Sequence, residues 1–170
     1  MRSTPLLVEL TVLVLWLGGA ILFAAIVAPS LFATLPTRTL AGAVVGRVLP
    51  AIFYSGMLVG IATVVLDWQA RGEWNWRGGA AGGLFIFVSC AVAQLIVSPR
   101  IERVRESIGG AVENLSPGDP RRAEFGKLHA VSVGWLGLAM LSAAIVAVIA
   151  ARSLHAATVE TRAVPGISDL

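Results

Sequence analysis

Charged residues are scarce in this sequence: Asp, Glu, Lys and Arg make up 14% of it, whereas 56% of its residues are apolar. A soluble domain of this size leaves about a third of its surface exposed to water, and covering that surface needs far more charge. The scarcity of charge therefore excludes an ordinary soluble domain.

Cysteine and histidine are almost absent as well. The single cysteine, Cys90, cannot form an intramolecular disulfide. The two histidines, His129 and His155, follow each other along one predicted helix, so they cannot face each other as axial ligands of a haem. Copper is disfavoured too, because Cys90, Met57 and Met140 show no clustered spacing. We expect no metal and no cofactor.

Several catalytic and binding patterns are missing. No basic stripe with interleaved aromatic residues occurs outside the apolar segments, which excludes a nucleic-acid-binding surface. The sequence shows no nucleotide-binding loop, no nucleophile and base at catalytic spacing, no acidic pair and no charge at the middle of an apolar segment. Proton relays and ion pumps need such charges within the bilayer. We therefore expect a non-enzymatic protein without catalytic residues, and we expect Glu9 to turn outward to the lipid headgroups.

Long apolar segments are what the sequence has in abundance. A helix needs about 20 apolar residues to cross a bilayer, and four segments approach or exceed that length, at residues 6–28, 50–66, 78–97 and 130–151. The second is short, but RTLAGAVVGRVL before it is helical in pattern and extends it. These segments predict an all-α integral membrane four-helix bundle in one domain, residues 1–152, followed by a polar tail at 153–170.

Two of the connections predict amphipathic helical extensions on one face of the bundle. In the third loop, Ser98 and Pro99 match an N-cap and a first helical position, and apolar residues recur at helical spacing as far as the turn-rich NLSPGDP. In the first loop, Thr37 should cap a helix that runs into the second apolar segment. A further helix of the third loop should run from Pro120 directly into the fourth apolar segment. Because proline removes a backbone donor, Pro29 should end or kink the first span and Pro50 should bend the second.

Small residues predict how the helices pack. Glycines lie four apart in GAVVG, GMLVG and GGAAGG, and in lipid the association of helices depends on such close backbone approach. We expect tight packing within one bundle rather than a dimer motif. The candidate packing residues are Gly46, Gly56, Gly60, Gly78 and Gly82.

Lysine and arginine are unevenly distributed, with eight in the first and third loops and five on the opposite side. The positive-inside rule then places these two loops in the cytoplasm and both termini in the periplasm. Arginine, alanine and glycine outnumber lysine and asparagine, which favours a GC-rich bacterial source and hence a bacterial inner membrane. The second loop would form an aromatic belt on the outer face, made of Trp68, Trp74 and Trp76.

Three motifs carry a resemblance to a known family. The runs APSLFATLPTRTLAGAVVGRVLPAIFYSGMLVG, SPRIERVRE and FGKLHAVSVGWLGLAML resemble, in order and spacing, the small four-span proteins typified by transmembrane protein 205. The bacterial members of that family carry a domain of unknown function, so the resemblance implies a fold and a candidate site but no reaction. It covers about residues 10–150. The matching positions all lie at one membrane face. They are Pro29, Phe32, Ala41, Gly42, Pro50, Tyr54, Pro99, Arg100, Phe125, His129 and Ser132.

His129 stands at the start of the fourth apolar segment and is the centre of the candidate site. If its helix begins at Pro120, the imidazole turns inward and should hydrogen-bond Tyr54, Arg100 or a carbonyl group near Pro29. The resemblance implies a polar and aromatic patch made of His129, Ser132, Arg100, Tyr54, Phe32 and Phe125. It implies four structural positions, Pro29, Pro50, Pro99 and Gly42.

Two functional hypotheses follow. The absence of reactive groups, together with the packing glycines, favours an accessory or assembly subunit of a larger respiratory or photosynthetic membrane complex, with the lipid bilayer and other membrane subunits as its partners. The competing hypothesis is a transporter or binding protein for a small molecule or metal ion, with its site at His129 and Arg100. It ranks second because a transport path needs polar groups along the bilayer depth. A haem or quinone redox enzyme ranks third.

Overall fold

The computed structural model describes residues 3–71 and 78–163, and it describes the side chains of residues 4–70 and 78–159. Within these ranges the chain is helical and contains no strand. Its first half comprises α1 (Ser3–Leu22), a π-helical turn (Phe23–Val27), α2 (Ala28–Thr34) and α3 (Arg38–Arg71). Its second half comprises α4 (Gly79–Ala91), a second π-helical turn (Val92–Val97), α5 (Ser98–Ile108), a 3-10 turn (Val112–Asn114) and α6 (Pro120–Ala163).

Four continuous helices are long and apolar enough to cross a membrane, and they confirm the all-α bundle. They are span 1 (Thr4–Thr34), span 2 (Arg38–Ala70), span 3 (Gly79–Ile108) and span 4 (Pro120–Val159). The protein is therefore a multi-pass integral membrane protein. Trp68 of the expected aromatic belt is exposed, whereas Trp74, Trp76 and the end of the tail lie outside the described residues.

The four spans form a closed square in which each packs against two neighbours. Span 2 packs against span 3, span 3 against span 4, span 4 against span 1, and span 1 against span 2. The centre of the square is filled by buried apolar side chains from all four spans, among them Leu13, Phe53, Ile86 and Ala139. Because consecutive spans are antiparallel neighbours, the first and third loops lie at one end of the bundle.

Both Pro29 and Pro99 lie two residues after the end of a π-helical turn, and neither ends its span. Proline has no N–H, and its ring clashes with the carbonyl group four residues back. A wider turn relieves this clash by shifting the hydrogen bonds: the backbone N–H of Ala28 donates to the carbonyl of Phe23, five residues back. The first span therefore does not end at Pro29, which was one of the two outcomes expected for that residue, since the span continues to Thr34.

Helix ends at the loop-one and loop-three end follow local capping chemistry. The hydroxyl of Thr37 accepts a hydrogen bond from the backbone N–H of Leu40 (3.1 Å) and caps α3. Pro120 begins α6, as expected. α5 ends at Gly109 rather than at NLSPGDP, because Gly109 adopts φ 64°, a left-handed conformation that terminates a helix.

Two backbones cross in close contact at Gly60 in span 2 and Gly83 in span 3. A Cβ atom on Gly60 would lie 2.6 Å from the carbonyl oxygen of Gly83, and one on Gly83 would lie 2.8 Å from that of Gly60. Gly56 and Gly82 also lie at contacts, since a Cβ atom at either position would overlap a side chain of another span. These glycines let the backbones approach one another.

The other two candidate packing glycines have different surroundings. A Cβ atom on Gly46 would lie 3.6 Å from a guanidinium nitrogen of Arg105, so Gly46 faces a side chain rather than a neighbouring backbone. Gly78 is the N-cap of α4. The spacing of glycines four residues apart therefore does not by itself show whether a glycine faces a neighbouring backbone or a long side chain.

The end of the bundle that carries the termini buries two carboxyl groups. Glu9 and Asp67 are each 1% exposed. Oδ2 of Asp67 accepts a hydrogen bond from the backbone N–H of Ala80 (3.2 Å), in the first turn of α4, where the helix dipole favours negative charge. A Cβ atom on Gly79 would lie 2.7 Å from Oε1 of Glu9 and 3.1 Å from Oδ1 of Asp67. The expectations of an outward Glu9 and of no acidic pair were wrong, because three distant segments meet here.

The crossing at Gly60 makes a prediction about stability. Gly60→Ala should lower the free energy of unfolding by about 1–3 kcal/mol, because the added methyl meets backbone atoms that cannot rotate away. Gly134→Ala is the control: its Cβ atom would meet nothing within 4 Å, so only the small gain in helix propensity applies. Thermal unfolding in a mild detergent measures both. Equal melting temperatures for Gly60→Ala and the wild type would contradict the close crossing.

Candidate functional site

A cavity of about 660 Å³ lies at the end of the bundle that carries the first and third loops. All four spans line it, and residues of the loop-three 3-10 turn complete its rim. Pockets that bind drug-sized ligands typically enclose about 300–1,000 Å³. The cavity therefore has the size of a small-molecule site.

Small residues create this cavity. Span 1 lines it with Ala24 and Ala28, and span 2 lines it with Gly42 and Gly46. These residues have little or no side chain to fill the space between the spans. The side chain of Arg105 covers the glycine wall, with Nη2 4.0 Å from the position of a Cβ atom on Gly42 and Nη1 3.6 Å from that on Gly46.

The inner wall of the cavity is apolar. Phe23 in the first π-helical turn, Val45 in span 2 and Leu136 in span 4 line it and are buried. Pro50 also lines the cavity, and as a proline it cannot donate to the carbonyl group of Gly46, the usual acceptor four residues back. Short or apolar groups thus make up the inner wall.

The rim of the cavity is charged. It carries three arginines and two glutamates besides His129: Arg38, Arg105, Arg122, Glu102 and Glu113. The carboxylate of Glu113 accepts two hydrogen bonds from Thr39, one from its backbone N–H and one from its hydroxyl, both 3.1 Å. These hydrogen bonds join the 3-10 turn to the first turn of α3, so the rim is held in place by contacts between distant segments.

Arg105 is one of several rim residues that were not expected from the sequence. Its Nη1 donates to Oε2 of Glu102 (3.1 Å), and its guanidinium lies 5.9 Å from the ring centroid of Phe125, within cation–π range. The side chain is 31% exposed. A signal for it existed in the sequence, because Arg105 lies four residues after Ile101, a cavity-lining apolar residue of the same helix.

Arg121 joins the start of α6 to the end of α5. Arg121 donates to both carboxylate oxygens of Asp119, at 3.1 and 2.8 Å, and its Nη1 donates to the carbonyl of Ser107 (3.2 Å). Hydrogen bonds from Arg121 lower the pKa of Asp119 below its ordinary value. This contact fixes the end of α5, and with it the position of Arg105 above the cavity.

The structure brings together part of the expected patch. The positions expected from the sequence that line the cavity are Phe32, Phe125, His129, Ser132, Pro29, Pro50 and Gly42. Arg100, Tyr54 and Pro99 do not line it. Tyr54 is 49% exposed, one residue away from the fully buried Phe53. Each residue turns a helix by about 100°, so neighbours in sequence face different surroundings.

His129 lines the cavity from the rim but remains exposed. Within the described residues no hydrogen bond reaches its imidazole, so the expected bond to Tyr54, Arg100 or a carbonyl near Pro29 was wrong. The physical reason is the rotation of α6: Ser132, three residues later, is the residue that turns inward and is buried. His129 instead lies exposed at the mouth of the cavity.

Metal-binding side chains are not clustered in the described parts of the chain. No three His, Cys, Asp or Glu side chains there lie close enough together to hold a metal ion. The polar groups at the cavity are mainly guanidinium groups and engaged carboxylates. Guanidinium groups bind anions, not metal cations.

The fold and the cavity define an integral membrane four-helix bundle with a small-molecule-sized cavity at one end. The family described as "Domain of unknown function (DUF4149)" matches residues 11–109, more than half of the chain, and the chain belongs to this family. No curated protein and no solved structure matches the chain. The family match covers spans 1 to 3 and ends before α6, so the likeness to transmembrane protein 205 stays a prediction.

Proposed function

We propose that this protein is a non-enzymatic membrane protein that binds a small molecule in the cavity at the loop-one and loop-three end of the bundle. The observation that carries the proposal is the cavity of about 660 Å³, which has apolar inner walls and a charged rim. Mostly apolar walls with a few convergent polar groups are typical of ligand sites.

The construction of the rim supports the proposal. Glu113 joins the 3-10 turn to Thr39, and Arg121 joins the end of α5 to the start of α6. The first contact lies at the rim of the cavity, and the second holds the end of α5, the helix that carries Arg105. A preformed mouth reduces the entropy that binding would otherwise cost.

Two valines of span 4 provide a test. Val133 lines the cavity and is 53% exposed, whereas Val131 does not line it and is 47% exposed. Val133→Trp should fill the cavity and weaken binding by at least about tenfold (about 1.4 kcal/mol), and Val131→Trp should leave binding unchanged.

Native mass spectrometry of the purified protein in a non-ionic detergent measures this binding, with decanoate and decan-1-ol as probes. At least one probe should give a saturable one-to-one complex with the wild type and with Val131→Trp. Complexes that never saturate, or that form equally with Val133→Trp, would contradict a ligand site in the cavity.

A second candidate function is that of an accessory subunit of a larger membrane complex. The lipid-facing side of α6 favours it: Gly126, Gly134 and Gly137 are exposed, and a Cβ atom on any of them would meet nothing within 4 Å. Surfaces of small residues allow a helix of another subunit to approach closely in lipid. The partner would then be another membrane protein that covers this side.

Purification in a gentle detergent, with mass spectrometry of the co-purifying chains, tests the accessory role. A defined partner should accompany the wild type and Gly118→Leu, which lies in loop three where a Cβ atom also meets nothing. Gly134→Leu should lose this partner, because the larger side chain holds the neighbouring helix away. A wild-type protein that purifies alone and monodisperse would contradict the accessory role.

We also propose that the first and third loops, and with them the mouth of the cavity, face the cytoplasm of a bacterium. The excess of arginine and lysine in those loops supports this orientation. A membrane-impermeant maleimide should label Thr4→Cys from the periplasm and should reach Gly110→Cys only after lysis. Cys90 is fully buried and adds little background. Labelling of Gly110→Cys before lysis would reverse the orientation.

A further inference from the structure

We propose that the cavity takes an amphiphile with an anionic head, a carboxylate or a phosphate. Its head would bind the guanidinium group of Arg105, and its apolar chain would lie along the inner wall. This inference rests on the proposed function, and it names the class of ligand.

Arg105 has donor capacity that the protein leaves unused. A guanidinium group has five N–H donors, and Arg105 uses Nη1 for one hydrogen bond, to Glu102. No other hydrogen bond from Arg105 to the described residues is formed. Its Nη2 lies beside the glycine wall of the cavity, 3.9 Å from the position of a Cβ atom on Gly46. The remaining donors are therefore available to a ligand.

The position of Arg105 is set by its neighbours before any ligand arrives. Glu102 holds one end of the guanidinium group through Nη1, and the ring of Phe125 lies beside it at 5.9 Å from ring centroid to Cζ. A planar guanidinium held in this way is suited to bidentate binding of a carboxylate or phosphate. Lysine would offer only a mobile point charge there.

The charges around the mouth favour an anion over a cation. Three arginines face two glutamates on the rim, so it carries one more positive than negative charge. Glu102 is paired with Arg105, and Glu113 accepts hydrogen bonds from Thr39, a neutral donor. Arg122 donates to the carbonyl group of Leu115 (3.1 Å), a neutral acceptor, so its charge offsets that of Glu113 and Arg38 supplies the excess. This excess favours an acidic head over an ammonium head.

The inner wall of the cavity indicates the chemistry of the rest of the ligand. Phe23, Val45 and Leu136 offer apolar surface that no polar group of a ligand could satisfy, so the part of the ligand that extends past Arg105 must be apolar. Gly42 and Gly46 keep the path between the rim and this wall open, because they have no side chains. A charged head joined to a hydrocarbon chain matches both regions.

The test compares four probes that share a ten-carbon chain: decanoate, decyl phosphate, decan-1-ol and decylammonium. Native mass spectrometry in a non-ionic detergent measures their binding to the full-length protein. The two anions should bind the wild type about 10- to 100-fold more tightly than decan-1-ol, as expected for hydrogen bonds to a charged group. Decylammonium should bind most weakly.

Three variants locate the source of this preference. Arg105→Gln should bind decan-1-ol as the wild type does, which shows that the cavity is intact, and should lose the preference for anions. Arg105→Lys should keep part of it. Arg103→Gln is the matched control and should keep all of it, because Arg103 lies on the same helix, is exposed, donates to the carbonyl of Pro99 and does not line the cavity.

The outcomes separate this inference from the proposed function. Equal binding of decan-1-ol and decanoate to the wild type, or an anion preference retained by Arg105→Gln, would overturn the anionic head but leave the cavity as a ligand site. If none of the four probes gives a saturable complex that Val133→Trp blocks, the proposed function fails as well.

The same chemistry could be supplied by a lipid of the bilayer or by a free amphiphile, and a competition distinguishes the two. Decanoate binding is measured in nanodiscs of a zwitterionic phospholipid with and without an added anionic phospholipid. Weaker decanoate binding in the anionic discs assigns the ligand to the bilayer, and unchanged binding assigns it to a free amphiphile. Either result supports an acidic head at Arg105.

Discussion

The backbone crossing of Gly60 and Gly83 is the contact on which the rest of the bundle depends. Lipid tails are as apolar as leucine side chains, so spans gain little by burying apolar surface against each other, and their association relies on close van der Waals contact. Each glycine carbonyl oxygen lies within 2.8 Å of the position that a Cβ atom on the opposite glycine would take. This crossing joins spans 2 and 3, and spans 1 and 4 complete the square around them.

The same residue type has the opposite effect at the loop-one and loop-three end. Gly42 and Gly46 in span 2 face no neighbouring backbone, and the space left by their missing side chains becomes a cavity that Arg105 covers. The π-helical turns before Pro29 and Pro99 lie at this end too, and both contribute residues or adjoining residues to the wall. Wide turns of this kind occur frequently at functional sites.

The two ends of the bundle therefore differ in the ionisable groups that they carry. At the end that carries the termini, the carboxyl groups of Glu9 and Asp67 are buried against the first turn of α4. At the other end, guanidinium groups surround an open mouth. The proposed ligand would enter from the end that carries the first and third loops, and the proposed partner subunit would contact the small exposed residues of α6.

The sequence by itself determined the class of fold, because a bilayer requires every spanning backbone to satisfy its own hydrogen bonds within a helix. Four apolar segments were enough to predict four spans, and Thr37 and Pro120 predicted two helix starts through local capping. Only the tertiary structure decided how far each helix is rotated about its own axis. It turned Ser132 inward and left His129 exposed at the rim, and it placed Arg105 rather than Arg100 at the cavity. Contacts between distant segments determine such rotations, since the local periodicity of a helix is the same whichever of its residues face the cavity.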